Sequence, residues 1–148
     1  MLKHIPALLT PDALHALASM GHGDELAIVD AHFPAARLAA RGAARLAYIP
    51  GADAPAVLHA VLALLPLDDF GSEAAWTMLV VGDAAAIPAS VTDMQAVLAR
   101  AGEQPAAALE RHTFYERAAN AFAIFACGET RTYGNLLLRK GVLREVAR

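Results

Sequence analysis

Five short runs of apolar residues, most of them bounded by glycine, proline or aspartate, recur along the chain. Runs of this length predict buried strands. The predicted strands cover residues 25–29, 45–49, 76–81, 122–127 and 135–139. Between the runs, apolar residues recur at helical spacing, as in Leu14, Leu17 and Met20. Strands that alternate with helices in this way predict an α/β domain in layers, with a largely parallel sheet.

Helix start and stop signals agree with this alternation. Thr10, followed by proline and aspartate, supplies a capping hydroxyl, the proline favoured at the first helical position and an early acid. Gly21 is a stop signal for this first helix. We expect three further helices, which run from Asp53 to Pro66, from Ser90 or Thr92 to Gly102, and from a capping box formed by Thr113 and Glu116.

Length and composition bound the kind of protein. With 148 residues the chain fits a single domain that covers residues 1–148. Hydrophobic residues make up 57% of the chain. No apolar stretch reaches the roughly eighteen residues of a membrane-spanning helix, so we expect no membrane partner. The apolar excess over an average domain also fits surface that is buried between subunits.

Charge and cysteine content exclude further classes of protein. The formal net charge is −3 and the basic residues are scattered singly, so no basic stripe is available to neutralise a nucleic-acid backbone. The N-terminal residues do not have the pattern of an export signal. Cys127 is the lone cysteine, and its apolar setting predicts a buried thiol. We therefore expect a protein of the reducing cytoplasm.

Residues 20–34, M-G-H-G-D-E-L-A-I-V-D-A-H-F-P, concentrate titratable side chains around the first predicted strand. Three interpretations compete: a metal site, an acid/base pair, or polar residues that only begin and end a strand. His22 lies between two glycines, which leave the imidazole accessible. Histidine titrates close to neutral pH, where general acid/base catalysis works well. A merely polar residue in a turn is the other interpretation of His22, and it stays equally open.

Motifs for metal, serine or nucleotide chemistry are missing. His22 with Asp24, and Asp30 with His32, supply side chains that metals bind, but their spacing matches no ligand motif. The sequence contains no G-x-S-x-G, G-x-G-x-x-G or G-K-[ST] motif. We therefore expect no metal, no nucleophilic serine and no nucleotide cofactor.

A second polar cluster, E-R-H-T-F-Y-E-R, covers residues 110–117. We place Arg111 on a loop before the predicted cap, and Arg117 on a solvated helix face. A guanidinium such as that of Arg111 offers several fixed donors to hydroxyl or carboxylate oxygens. Tyr133 and Asn135 lie at a Tyr-Gly-Asn turn, where a purely structural role is the default interpretation.

Taken together, these segments resemble the ribose pyranase and fucose mutarotase family over nearly the whole chain. The matching motifs are G-H-G-D-E at 21–25, D-A-H-F-P at 30–34, R-x-x-F-Y-E-R at 111–117, G-E-x-x-x-Y-G-N at 128–135 and L-L-L-R-K-G-V at 136–142. Each motif is short, but their order and spacing make the joint match specific. Arg111 and Tyr-Gly-Asn resemble the fucose branch, whereas His112 and residues 35–53 depart from the family pattern.

The resemblance implies a three-layer α/β/α fold and a mutarotase that interconverts the α and β anomers of a reducing sugar, L-fucose on the fucose branch, through the open-chain form. It implies His22 as the proton-transfer residue, and on this interpretation we expect Asp24 to orient His22. It also implies sugar contacts from five residues: Asp30, Arg111, Tyr133, Gly134 and Asn135. Finally, it implies a ring-like homo-oligomer, a pentamer or decamer, with sites between subunits and no metal or organic cofactor.

Other functions stay open at this point. A ribose pyranase would exchange pyranose and furanose rings, and NMR exchange measurements on each sugar separate it from a mutarotase. A non-catalytic sugar-binding assembly protein would bind a sugar without accelerating exchange. A metal-dependent hydrolase is a third possibility, which metal analysis of the purified protein discriminates.

Overall fold

The computed structural model describes residues 1–144, in which helices and strands alternate along most of the chain. The elements are α1 (Pro11–Ser19), β1 (Glu25–Val29), α2 (Ala35–Arg41), β2 (Arg45–Ile49), α3 (Ala54–Leu62), β3 (Ala75–Met78), α4 (Ala89–Arg100), β4 (Ala107–Leu109), α5 (Arg111–Ala119), β5 (Ala123–Cys127) and β6 (Leu136–Arg139). Among these helices of residues 1–144, none combines the length and the apolar character that crossing a membrane requires.

β1 lies inside a six-stranded sheet with the order β2-β5-β1-β6-β3-β4. β1 and β2 both pair parallel with β5, and β3 pairs parallel with β4. β6 runs antiparallel to its two neighbours, β1 and β3. The prediction of a largely parallel sheet is therefore confirmed, with β6 as the antiparallel member.

Apolar side chains form a core on each face of the sheet. On one face, α1, α3 and α4 pack against strand residues that include Leu26 and Ile28. On the other face, α2 and α5 pack against Ala27 and Val29. Successive residues of a strand point to opposite faces, so a strand that is buried on both faces has a continuous apolar run. The helices on both faces confirm the three-layer α/β/α fold.

The strand predictions at 25–29 and 45–49 are confirmed with the same bounds. β3 begins at Ala75 and ends at Met78 instead of residue 81, while β5 and β6 each begin one residue later than predicted. α2 and β4 were not among the predicted elements. α2 follows Pro34 without a side-chain cap, and β4 has only three residues, too few to show an apolar pattern.

Two predicted helix starts are confirmed by their caps. The Ala13 N–H donates to the hydroxyl of Thr10 at 3.3 Å, and the Ala56 N–H donates to the carboxylate of Asp53 at 2.9 Å. These bonds satisfy donors that have no partner inside the helix.

A hydroxyl cap for α4 is a wrong prediction. The helix begins without a side-chain cap, and the hydroxyl of Ser90 donates to the carbonyl of Thr132 at 3.1 Å. Thr92 lies inside the helix and donates to a carbonyl of the preceding turn. Ser90 thus anchors the segment that leads to β6. The preceding helix, α3, ends at Leu62, a turn before the predicted stop at Pro66.

α5 begins earlier than predicted, because Glu110 caps it. The Glu110 carboxylate accepts the N–H groups of His112 at 2.8 Å and of Thr113 at 3.3 Å. The predicted capping box of Thr113 and Glu116 is therefore wrong, since an upstream carboxylate occupies the first free donors. As a consequence, Arg111 and His112 lie in the first turn of α5 and not on a loop.

Arg117, which we placed on a solvated helix face, is half-buried and joins α5 to the sheet. Its guanidinium donates to Glu25 of β1 at 2.5 Å and lies 4.1 Å from the centre of the Trp76 ring. Arg139 of β6 donates to the same carboxylate at 3.0 Å and lies 4.8 Å from the same ring. The last turn of α5 is thereby held against the start of β1.

Gly42, directly after α2, provides a test of how tightly the helices pack. A Cβ atom at this position would overlap the carbonyl group of Ala119, which accepts the N–H of Ala43 at 3.0 Å. We expect Gly42→Ala to lower the free energy of unfolding in urea by about 1–3 kcal/mol, the usual cost of overpacking. Gly51→Ala is the matched control, because a Cβ there meets no atom within 4 Å. Equal losses at the two positions would contradict this packing.

Cys127 is buried at the end of β5, and its Sγ lies 3.2 Å from the carbonyl oxygen of Val29. Burial raises the pKa of the Cys127 thiol to about 11, so the reactive thiolate is scarce at pH 8. We expect iodoacetamide at pH 8 to alkylate the native protein about 100-fold more slowly than the guanidinium-unfolded protein, measured by mass spectrometry. Equal rates in the two states would show that the thiol is accessible.

Candidate functional site

A cavity of about 200 Å³ opens at the carboxyl end of β1, where α5 begins and β6 begins. Such crevices beyond strand ends are the usual ligand sites of open α/β sheets. The residues that line it are Asp30, His32, Phe33, Met78, Arg111, Tyr115, Thr132, Tyr133 and Asn135. Four of the predicted sugar contacts, Asp30, Arg111, Tyr133 and Asn135, therefore lie around one cavity.

Asp30 is the buried carboxylate of this cavity, with 4% of its surface exposed. Its oxygens accept the N–H groups of His32 at 2.9 Å and of Gly134 at 3.2 Å. Its own N–H donates to the side-chain oxygen of Asn135 at 2.9 Å. Burial raises the pKa of Asp30, although these hydrogen bonds oppose the rise. Asp30 and the turn before β6 thus hold each other in place, and the backbone of Gly134 contacts Asp30.

Tyr133 has a left-handed backbone conformation, with φ at +60°, which bulky residues rarely adopt. Its hydroxyl accepts the N–H of Val81 at 3.1 Å. A Cβ atom on the next residue, Gly134, would overlap the side chain of Glu129 and touch that of Asp30. The Tyr-Gly-Asn turn therefore requires glycine at its centre.

Arg111 extends from the first turn of α5 to the cavity. Within residues 1–144 its guanidinium makes no hydrogen bond or ion pair, so its donors are available to a ligand. An apolar wall lies beside it, where the Phe33 ring meets the Tyr115 ring edge-on at 5.0 Å and the Phe114 ring at 5.9 Å. Phe114 is fully buried and belongs to the core, as expected.

His22 lies at the other end of β1, with its side chain 49% exposed. Its Nε2 is 3.3 Å from Oδ1 of Asp68, and its ring centre is 5.2 Å from that of Phe70. The Phe70 N–H donates to the same Asp68 oxygen at 3.2 Å. This backbone donor, with a smaller contribution from His22, lowers the pKa of Asp68. Sequence reasoning missed Asp68, which lies 46 positions away from His22 in the chain.

Asp24, expected to orient His22, has a different partner. Its carboxylate accepts the N–H of Gly21 at 2.7 Å and so closes the turn that carries His22. The carboxylate that contacts the imidazole is that of Asp68.

His22 and the cavity do not meet within one chain. His22 precedes β1 and Asp30 follows it, and the strand alone separates them by about 13 Å at roughly 3.3 Å per residue. The two acid and histidine pairs of the sequence thus lie at opposite ends of the strand. Within residues 1–144, no group of three or more His, Cys, Asp or Glu side chains is placed to hold a metal ion.

The remaining histidines of interest differ in their surroundings. His32 lines the cavity, and its Nε2 lies 2.9 Å from the carbonyl oxygen of Thr130. His112 is exposed, and its backbone N–H is used by the cap of α5. His32 is therefore in reach of a ligand in the cavity, whereas the side chain of His112 is outside its lining.

Comparison with known proteins supports the resemblance from the motifs. The chain is 48% identical to the human fucose mutarotase over 146 residues, which cover 96% of this chain and 94% of that protein. It is 37% identical to the fucose mutarotase of Streptococcus pneumoniae, whose crystal structure in complex with L-fucose superposes with a TM-score of 0.88 over 97% of this chain and 100% of that one.

A second solved structure, Bacillus subtilis RbsD complexed with D-ribose, is only 20% identical. It superposes with a TM-score of 0.73 over 97% of this chain and 100% of that one, and so shares the fold. The family model described as the RbsD / FucU transport protein family matches residues 3–143. The chain therefore belongs to the RbsD / FucU family.

Proposed function

We propose that the protein is a fucose mutarotase, an isomerase that interconverts the α and β anomers of L-fucose. The observation that carries the proposal is the likeness to fucose mutarotases, up to 48% identity over nearly the whole chain. The cavity supports it, because Asp30, Arg111 and Asn135 surround a space of about 200 Å³ with donors and acceptors for hydroxyl groups. The apolar wall of Phe33 and Tyr115 suits a sugar face or a methyl group.

The reaction makes modest demands on a protein. Anomers exchange through the open-chain aldehyde, which requires a proton to leave the anomeric hydroxyl and a proton to reach the ring oxygen. Closure on the other face of the aldehyde gives the other anomer. No redox step or covalent intermediate with the protein is needed. A positioned acid/base group accelerates such proton transfers by about 10²–10⁴-fold.

In this proposal His22 transfers the protons, and Asp68 positions it. The contact of Nε2 with Asp68 favours a proton on that nitrogen, which leaves Nδ1 as the acceptor for the anomeric proton. Because the side chain is half exposed, a sugar can approach the free nitrogen. Asp30, Arg111, Tyr133 and Asn135 hold the hydroxyl groups of the sugar.

A site that contains both His22 and the cavity requires two copies of the chain, because the two lie at opposite ends of β1. We therefore extend the proposal to a ring-like homo-oligomer, a decamer, in which each sugar is bound between neighbouring copies. The proposed chemistry uses no metal or organic cofactor. The lone buried thiol fits a reducing cytoplasm as the location.

The role of His22 can be tested by saturation-transfer NMR, which measures anomer exchange of L-fucose directly. We expect His22→Ala and His22→Asn to lower the exchange rate by at least about 10²-fold, since neither side chain shuttles protons at neutral pH. His59→Ala is the matched control, because His59 is exposed on α3, and its exchange rate should equal that of the wild type. A correctly assembled His22→Ala protein within a few-fold of wild type would refute the mechanism.

The shared site can be tested by mixing two impaired variants at L-fucose concentrations well below KM. We expect His22→Ala and Arg111→Ala subunits, refolded together in equal amounts, to recover up to about a quarter of wild-type exchange activity, because a random ring contains sites with both intact halves. Refolded alone, His22→Ala lacks the proton-transfer group and should stay inactive, whereas Arg111→Ala binds the sugar more weakly and should stay well below the activity of the mixture. A mixture of His22→Ala and His22→Asn subunits controls for refolding effects and should also stay inactive. No recovery in mixed rings verified by native mass spectrometry would place the site within one chain.

A further inference from the structure

Glu129 is a buried carboxylate that the proposed mechanism does not use. It follows β5, has 2% of its surface exposed, and does not line the cavity. A buried charge is costly unless hydrogen bonds satisfy it. Its place in the G-E-x-x-x-Y-G-N motif, directly behind the turn that carries Tyr133 and Asn135, raises the question of what it does.

Every oxygen of this carboxylate has partners. Oε1 accepts the backbone N–H of Arg131 at 2.9 Å and its Nε at 3.0 Å. Oε2 accepts Nη2 of Arg131 at 3.0 Å and the N–H of Ala54, at the start of α3, at 3.3 Å. The Arg131 guanidinium holds the pKa of Glu129 below its usual range. Glu129 is therefore a charged anchor that fixes the segment between β5 and β6.

Glu129 also contacts both segments that form the cavity. Its side chain packs against Gly134 so closely that a Cβ there would overlap it. Gly134 in turn donates its N–H to Asp30 at 3.2 Å. The carbonyl of Glu129 accepts the N–H of Ala31 at 2.8 Å, which fixes the chain just after Asp30. Glu129 thus contacts both the Tyr-Gly-Asn turn and the chain that follows Asp30.

The turn needs such support because Tyr133 is strained. A left-handed conformation of a bulky residue is energetically costly and persists only where its surroundings hold it. A buried ion pair is weak evidence for a gain in stability, since an apolar pair of similar size is often as stable. Holding Tyr133 and Asn135 in a fixed position explains why a charge is buried here.

We infer that Glu129 is a positioning residue, which sets the geometry of Asp30 and of the turn from Tyr133 to Asn135 without touching the sugar. The inference rests on the proposed function, since it assigns a sugar to this cavity. Misplaced ligands weaken the binding of substrate and transition state alike, which raises KM and leaves kcat unchanged. Loss of folded protein has the opposite signature, a lower maximal rate at unchanged KM.

The test compares Glu129→Gln with Asp93→Asn in assembled protein, with L-fucose exchange measured by NMR over a range of concentrations. Glu129→Gln removes the charge at nearly constant shape, and we expect KM to rise about tenfold with kcat within about threefold of wild type. Asp93→Asn is the matched control. It weakens the outer bond of the same arginine, Nη1 of Arg131 to Asp93 at 2.6 Å, and leaves Glu129 charged and paired, so KM should not change.

Arg131→Lys provides a second variant, because it keeps the positive charge and loses the bidentate contact with Glu129. Its KM should also rise. An unchanged KM in Glu129→Gln, or an equal rise in Asp93→Asn, would overturn the inference. If neither Glu129→Gln nor Arg131→Lys folds, Glu129 serves folding and the inference is also overturned. If the wild-type protein does not accelerate exchange, the proposed function is overturned. If the wild type is active and the variants give one of these contrary results, only this inference is overturned.

Discussion

The antiparallel pairing of β6 with β1 is the constraint on which both ends of the molecule depend. Its register places Arg139 opposite Glu25 at one end and brings Asn135 to the main chain of Asp30 at the other. Because side chains alternate between faces, a slip of one residue would turn every β6 side chain to the wrong face. The same slip would separate Asn135 from Asp30 and the Arg139 guanidinium from its carboxylate.

Three of the five polar residues that are buried within residues 1–144 lie at the carboxyl end of β1. Asp30, Glu129 and Asn135 are almost completely covered there. Within residues 1–144, every fully buried side-chain nitrogen or oxygen has a hydrogen-bond partner. Satisfied networks of this kind specify one geometry, whereas apolar packing tolerates small shifts. The end of the sheet that contains the cavity is therefore the end where the positions of atoms are most strictly determined.

The sequence predicts what local signals encode. The strand at 25–29 has an apolar run from Leu26 to Val29 that ends at an aspartate, and Thr10 and Asp53 are capping residues, so all three predictions are confirmed. The cap of α5 was misplaced because Glu110 competes with a hydroxyl that fits the standard motif equally well. Asp68 was missed because its approach to His22 depends on long-range pairing, including the bridge between residues 67 and 140.

α5 links the two ends of the molecule mechanically. Its first turn carries Arg111 to the cavity, and its last turn is held to Glu25 by Arg117, close to the turn of His22. The separation of His22 from the cavity is thus fixed by a strand and a helix and not by loops. In the proposed shared site, only the contact between copies then determines the distance from the imidazole to the sugar. Since proton transfer requires heavy atoms about 2.6–3.2 Å apart, the geometry of assembly would determine the rate of exchange.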